Sequence, residues 1–433
     1  MPPKKTVTGT KSERADTPKP AAKKATPKKS KAETETAPPP VSKGLKRESS
    51  GGTSNSLFVS GDLENVTQEM VEKDTVLFDY TATLSAARSV AGEKNGSRHS
   101  TDLLKLISWN VAGLRAILKN GFNGSELEKM IIKERPDVLC LQETKLSDLQ
   151  QDTPLPASMI QGYVFAESVS VAKKGYAGTR TYFREDTFDV AKCQHFFDFD
   201  LASSKVNNGS LTTGYAVGEG GNSPALPKDI ISQAMDSEGR LVASILVPKD
   251  GGSEPFLLLN TYVPNSGMKL ERLDYRVMDF DATMRTTLTE KATSTLAAHA
   301  SAVLGSKGNT PMNIIWTGDL NVAERNYDRF HNGNFKGMQK VPGFTLAERQ
   351  SFRKTLQGSG ELRFKDTFRE LHPNHRGAYT FYSKMFNQRA KGNGWRLDYF
   401  IASTAAATKV VATAILNEYT ASDHIPLVLW MKK

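Results

Sequence analysis

Several short apolar runs in this 433-residue sequence lead into a polar residue suited to holding a cation or a phosphate. Leu103 to Trp109 runs into Asn110, and Val138 to Leu141 into Gln142-Glu143. Phe256 to Tyr262 runs into Pro264-Asn265, and Asn313 to Thr317 into Gly318-Asp319-Leu320-Asn321. Asp398 follows Trp395-Arg396-Leu397, and Asp423-His424 precede the last apolar run. Taken singly, an Asp or Asn at a strand end is usually a turn or a helix cap, and a lone His is usually structural. Convergence changes this. Strands of one sheet deliver their ends to one edge, where open α/β folds place ligands. Glu143, Asp319, Asp398 and Asp423 would then share a site with Asn110, Asn321 and His424. Four carboxylates together repel one another unless a cation or basic group sits among them. Oxygen and amide donors without thiolates suit Mg²⁺ rather than Zn²⁺.

The elements that must position these residues are legible from Leu103 onward. Apolar runs read as buried strands at 103–109, 137–142, 240–247, 256–263, 313–317, 397–402 and 426–431. Between them, Leu270, Leu273, Val277, Phe280, Met284 and Leu288 recur at three or four residues, which predicts one amphipathic helix. Capping boxes are expected at Ser125 to Glu128 and Thr345 to Glu348. Strands alternating with helices predict an α/β domain over 101–433. The Gly/Asn/Ser-rich stretch 199–237 reads as a surface insertion, and 56–100 has no assignable period.

Charge separates the domain from what precedes it. The formal net charge is +10, but residues 1–50 alone carry +8, leaving +2 for the other 383. Residues 1–55 hold almost no large apolar side chains and are expected to be a disordered basic tail. Its lysine clusters suit a nuclear import signal, a DNA-contacting arm or a solubilising tail. The folded part must therefore recognise any polyanion by placement of charge rather than by excess. Two cysteines, Cys140 and Cys193, exclude a disulfide framework and lack metal-type spacing. No apolar run approaches the ~20 residues that span a bilayer.

The strings SWNVAGLRA (108–116), PDVLCLQETK (136–145), GYAGT (175–179), EGR (238–240), YVPNSG (262–267), GDLNVA (318–323), GFTLAER (343–349), YTFYS (379–383), GWRLDYF (394–400) and SDHIPL (422–427) resemble the motifs of the exonuclease III-like AP endonucleases, in that family's order. The resemblance covers about 103–433. GDLNVA alone points only to the wider endonuclease/exonuclease/phosphatase superfamily; WNVAGLRA, LQETK and GWRLDYF are more specific.

The resemblance implies a four-layer α/β sandwich, two packed mixed β-sheets flanked by helices. It implies hydrolysis of the DNA backbone 5′ to abasic sites, leaving a 3′-hydroxyl and a 5′-deoxyribose phosphate, with 3′-end processing as an added activity. By the same resemblance, Glu143, Asn110 and Asp423 match the site of Mg²⁺, for which Mn²⁺ could substitute. Asp319 matches the residue that activates water, with Asn321 beside it. His424 matches the phosphate-contacting histidine positioned by Asp398, and Tyr262 and Asn265 match phosphate-binding residues. Phe381, Trp395 and Leu397 match the wall of a pocket for the base-less sugar. Arg115, Lys145, Tyr176, Met268 and Met385 are the remaining candidates for contact with DNA. Some members carry Asp or Asn in place of Ala112, Arg in place of Met268 and Cys in place of Ile107. The implied partner is double-stranded DNA with abasic sites, acted on by a monomer in the nucleus and not at a membrane. The nearest alternative is a superfamily hydrolase of inositol phosphates or sphingomyelin. A non-catalytic DNA-binding protein on the same scaffold is the alternative from another class.

Overall fold

A computed structural model of the chain describes residues 68–93, 100–119, 125–146, 162–197, 199, 201, 237–305, 311–331 and 335–433. The expected tail, the start of the 56–100 stretch and nearly all of the 199–237 insertion lie outside the described residues.

The fourteen strands in chain order are β1 (Val76–Leu77), β2 (Leu103–Asn110), β3 (Val138–Gln142), β4 (Tyr163–Ser168), β5 (Thr179–Arg184), β6 (Gln194–Phe196), β7 (Leu241–Leu246), β8 (Phe256–Tyr262), β9 (Ile314–Asp319), β10 (Phe364–Asp366), β11 (His375–Arg376), β12 (Asp398–Ser403), β13 (Val410–Ile415) and β14 (Leu427–Lys432). Twelve of them form two six-stranded sheets, ordered β13-β14-β2-β3-β5-β4 and β10-β12-β9-β8-β7-β6. Each sheet has one central parallel pair, β2 with β3 and β8 with β9, flanked by antiparallel strands. The parallel strands therefore end, and β12 and β14 begin, at the same edge. Asp398 stands opposite Asp319, and Leu427 opposite Ser108.

Alternation along the strands builds the layers, since successive side chains face opposite ways. Leu106, Cys140, Leu258 and Ile315 meet between the sheets. Ile107, Trp109 and Leu141 face outward onto Leu114, Leu127 and Met130. Leu257, Leu259 and Trp316 face outward on the other side, onto Phe280, Met284 and Phe352. Both faces of the central strands are thus apolar, and each fully buried aliphatic side chain contributes roughly 1.5–3 kcal/mol. Toward the functional edge the space between the sheets turns polar. Gln142 donates to Ser108 (3.0 Å) and across to Asn260 (2.8 Å). Asn260 donates in turn to the carbonyl of Arg180 at 3.0 Å.

The seven strand expectations hold within one or two residues, and β1, β4, β5, β6, β10, β11 and β13 are additions, β4 and β5 the longest hidden pair. A buried Arg180–Glu167 pair (2.7 Å) breaks their apolar pattern in the sequence. The long helical segment, 275–304, starts later than the periodicity suggested. Leu270 has φ 62° and closes a turn onto Gly267, so it cannot begin a right-handed helix. Of the predicted stripe, Phe280, Met284 and Leu288 are buried. Ser125 accepts from the Glu128 amide, and Thr345 with Glu348 forms a reciprocal box. Cys140 is a buried free thiol and Cys193 a half-buried one, each pushed up to about 12 by burial. Residues 68–93, unassigned in the sequence, form a helix (Gln68–Asp74), strand β1 paired with β11, and a helix (Tyr80–Val90) capped by Asp79. Leu84 and Ala87 of that second helix join the core outside the first sheet.

Candidate active site

One edge of the sandwich gathers acids and amides from both sheets into a run of hydrogen bonds and ion-pair contacts. Asn110, at the end of β2, donates from Nδ2 to Glu143 Oε1 and to Asp319 Oδ2, both at 3.0 Å. It thereby joins the first sheet to the second. His424 Nε2 lies 3.6 Å from Asp319 Oδ2, while its Nδ1 contacts both oxygens of Asp398, at 2.9 and 3.1 Å. Asn321 donates its backbone N–H to Asp319 Oδ1 (3.0 Å) and its side-chain amide to the Val263 carbonyl (2.8 Å). Asn265 reaches Asn321 Oδ1 at 3.3 Å. Ser422 donates to the Asn110 carbonyl at 2.7 Å and lies 3.3 Å from Asp423 Oδ1, so the Asp423-His424 turn is moored to the end of β2.

The backbone at this edge is unusual. Ala112, Glu143, Lys145 and Asn321 all have φ near 50°, where L-residues are strained. The left-handed turn lets Glu143 leave strand β3 and face Asn110. At Gly318 only glycine fits. A Cβ there would sit 1.9 Å from the Thr261 carbonyl oxygen, and its φ is 135°. That close approach keeps β9 tight against β8 where Asp319 emerges.

Electrostatics sort the acids into different states. Burial opposes the charge on Glu143, but the Asn110 amide and the Lys145 ammonium, 2.8 Å away, hold its carboxyl below the usual range. Burial, with Asp398 and Glu143 adding to it, pushes Asp319 up despite the pull of His424. His424 is itself pushed up to about 10: burial works against the imidazolium, but Asp398 and Asp319 outweigh it. Burial and the charges of Glu143 and Asp319 hold the Tyr262 phenol well above its ordinary value, and it hydrogen-bonds Glu143. Asp319, Asp398 and His424 lie close enough together to suggest a metal cluster. The imidazole already satisfies both carboxylates, so an ion-paired relay describes these three better. Hard oxygen donors remain at Glu143 and Asp423, the latter only 4.0 Å from Lys384 Nζ and partly open. With Asn110 alongside they form a donor set suited to Mg²⁺, which would supply positive charge to a phosphate and to bound water.

Trp395 and Phe381 pair through backbone bridges, and Phe381 also bridges to His424, with ring centroids 4.8 Å apart. Leu397 is buried in a small cluster against which Phe381 and Trp395 pack. An apolar wall thus stands beside the relay. Met268 and Met385 are exposed (86% and 66%). Arg115 is exposed too, on the helix Leu114–Lys119. Tyr176 is half-buried, and its hydroxyl accepts from Arg240 (2.9 Å) and Arg272 (3.0 Å). Its own proton is left to donate outward.

Residues the sequence reading did not single out also build the edge. Arg240 stacks 4.6 Å over the Tyr262 ring and bonds its carbonyl, while Glu238 balances Arg240 and Arg272. Ser422 ties the His424 turn in place. The EGR and SDH strings held these residues, but nothing in spacing alone tells a second-sphere Arg or Ser from a surface one. Arg329, whose guanidinium lies 4.2 Å over the Trp395 ring, gave no signal.

Comparison with known proteins agrees with this geometry. The Endonuclease/Exonuclease/phosphatase family profile matches residues 107–424. A DNA repair nuclease, APEX1, of Danio rerio is 32% identical over 76% of this chain and 82% of its own length. A DNA-(apurinic or apyrimidinic site) endonuclease of Dictyostelium discoideum is 31% identical over 75% of this chain and 69% of its own. The crystal structure of an AP endonuclease from Leishmania major superposes with a TM-score of 0.65 at 35% identity, covering 85% of this chain and 97% of that one. This chain belongs to the endonuclease/exonuclease/phosphatase family, and within it to the exonuclease III-like AP endonucleases.

Proposed function

We propose that the protein hydrolyses the DNA phosphodiester 5′ to abasic sites in base excision repair, leaving a 3′-hydroxyl and a 5′-deoxyribose phosphate. The observation that carries this reading is the hydrogen-bonded run Glu143–Asn110–Asp319 facing the His424–Asp398 pair across a 3.6 Å ion-pair contact, beside an apolar wall. The Dictyostelium and Leishmania relatives are named as AP endonucleases, and the Danio relative as a DNA repair nuclease. Clearing of blocked 3′ ends is an added activity of the same edge.

In this reading Asp319, lifted toward neutrality, takes the proton of the attacking water while Asn321 and Asn265 orient water and phosphate. His424, charged and held by Asp398, donates from Nε2 to the phosphate as negative charge builds on its oxygens. Tyr262 adds a phenolic donor. Glu143, Asn110 and Asp423 would hold Mg²⁺ or, in its place, Mn²⁺, which would supply positive charge to the phosphate. No Ser or Cys nucleophile is needed. Phe381, Trp395 and Leu397 receive the base-less sugar, which rotates out of the duplex without losing a pair. Arg115, Lys145, Tyr176, Met268 and Met385 border the duplex. The enzyme acts as a monomer in the nucleus.

The deciding experiment incubates the full chain with an end-labelled abasic duplex, with Mg²⁺ and with EDTA, and identifies both new termini. A 3′-hydroxyl formed only with Mg²⁺ is expected. Intact duplex alongside rapid hydrolysis of an inositol phosphate would move the substrate class elsewhere in the superfamily.

A further inference from the structure

A cavity of about 370 Å³ lies between residues 71–80 and the catalytic domain. That volume falls within the ~300–1,000 Å³ typical of small-molecule sites. Its aromatic lining comprises Phe78, Tyr80, Tyr327, Phe330, Tyr379 and Tyr382. Its charged lining is Arg329 and Arg376, beside a His331 imidazole that burial keeps neutral by pushing it down to about 4. No Asp or Glu is among the described residues that line it, although Glu72 acts on His331 from outside the lining.

Arg329 is the key group. Its guanidinium stacks on Trp395, and its Nε and Nη1 are buried without a hydrogen-bond partner. Burial lowers it to about 10, with only the Tyr379 phenol pulling the other way. Arg376 bonds only the Thr75 carbonyl, at 3.1 Å. A half-buried guanidinium without a counter-charge is costly unless an anion reaches it. Guanidinium suits phosphate, and aromatic faces suit any base, because every base has a π-face.

We propose that this cavity is a second binding site, for one nucleotide, with its phosphate on Arg329 and its base among the aromatic rings. The placement fits a DNA strand. Arg329 covers Trp395 of the sugar-pocket wall, and the Phe330 amide bonds the Gly394 carbonyl at 2.8 Å. The cavity thus backs onto the proposed sugar pocket, and the 68–80 segment supplies one wall. Tyr80 fastens that segment: its hydroxyl donates to the Gly377 carbonyl (2.7 Å) and accepts from the Tyr379 amide (2.7 Å). The site would hold a neighbouring nucleotide while the abasic sugar occupies the pocket behind it.

The test needs no cleavage, so its failure would leave the reading of the catalytic edge intact. Labelled dAMP is dialysed to equilibrium against the full chain in EDTA. Saturable binding is expected, weakened about tenfold or more in Arg329→Gln, the loss of one charge-assisted contact. Adenosine, lacking the phosphate, should bind weakly and equally to both. Leu77→Trp, at an exposed position on the rim, should block dAMP without touching Arg329 and decides the matter if Arg329→Gln melts early. Tighter competition by the tetranucleotide d(AAAA) than by dAMP assigns the site to a DNA strand; the reverse assigns it to a free nucleotide. Binding that does not saturate, or that survives both substitutions, overturns the site.

Discussion

Two buried charge clusters lie within a few residues of each other in sequence, and they are built on opposite principles. In one, Arg396 contacts Asp328 (2.9 and 3.0 Å) and Asp366 (2.6 Å), and Arg369 closes onto Asp328. Two acids meet two guanidinium groups, all nearly excluded from solvent. The other gathers Glu143, Asp319, Asp398 and Asp423 around a single imidazole, with Lys145 on Glu143 and Lys384 at the outer side of Asp423. Trp395-Arg396-Leu397-Asp398 contributes to both, with Arg396 in the balanced cluster and Asp398 in the acidic one. In the balanced cluster every charge faces an opposite one, although Arg369 Nε and Arg396 Nη1 keep buried N–H groups without an acceptor. The acidic one is short of positive charge, and its strained backbone at Glu143 and Asn321 keeps it so. Imbalance held in place by the fold is the mark of a site that works on something.

The largest effect that would test this contrast is Asp328→Ala. Removing Asp328 strands the buried Arg369 and leaves Arg396 with Asp366 alone, and a loss of about 3–5 kcal/mol in unfolding free energy is expected. Denaturant melts measure it; a loss below about 1 kcal/mol, the scale of a surface pair, would show that the cluster is not a structural lock. Cleavage per folded molecule should be retained. The same cluster dictates acid sensitivity. Arg369 and Arg396 overcome burial and hold the Asp328 carboxyl well below its unfolded value of ~3.9. Its contribution is complete above that value and drains away as pH falls beneath it. Wild type should therefore lose stability below about pH 4 more steeply than Asp328→Asn, whose side chain binds no proton there.

Glu143→Ala should do the reverse: an intact fold and a rate lowered about 10²–10³-fold, or ~3–4 kcal/mol in the barrier. Near-normal cutting at low Mg²⁺ would remove Glu143 from the metal site. His424→Ala and Asp398→Ala should each slow the chemical step, yet the double variant should be little worse than the poorer single one. Multiplicative losses would separate the pair that the 2.9 Å contact joins. The smallest expected effect is that of Trp395→Ala. Trp395 is half-buried, so its loss should cost less than the ~3–5 kcal/mol of a core Trp while abasic and intact nucleotides become harder to tell apart. A destabilised protein with unchanged preference would make Trp395 core and nothing more.

Much of the acidic cluster was legible in the sequence because its residues terminate strands, and strands of apolar side chains announce themselves. Asn110, Glu143 and Asp319 fall where such runs stop and Asp398 where one starts; parallel pairing brings the stops together, and antiparallel β12 brings its start to the same edge. The balanced cluster was not legible. Asp328 and Arg369 sit in a turn and a short helix, where charged residues are unremarkable until burial is known. β4 and β5 hid for the same reason, since Arg180 and Glu167 interrupt the alternation that marks a strand. The late start of the long helix turned on a backbone angle at Leu270, which hydrophobic spacing cannot report.

The division of the site between two sheets has a consequence for how the enzyme is made. The first sheet supplies Asn110 and Glu143, the second Asp319 and Asp398, and neither holds a working set. Asp423 and His424 precede β14, which emerges last of all the strands yet sits inside its sheet, between β13 and β2. During synthesis the nascent chain therefore carries most of the acids long before it can assemble them, because non-local pairings form late. The edge is complete only when both sheets and the 422–424 turn are in place together.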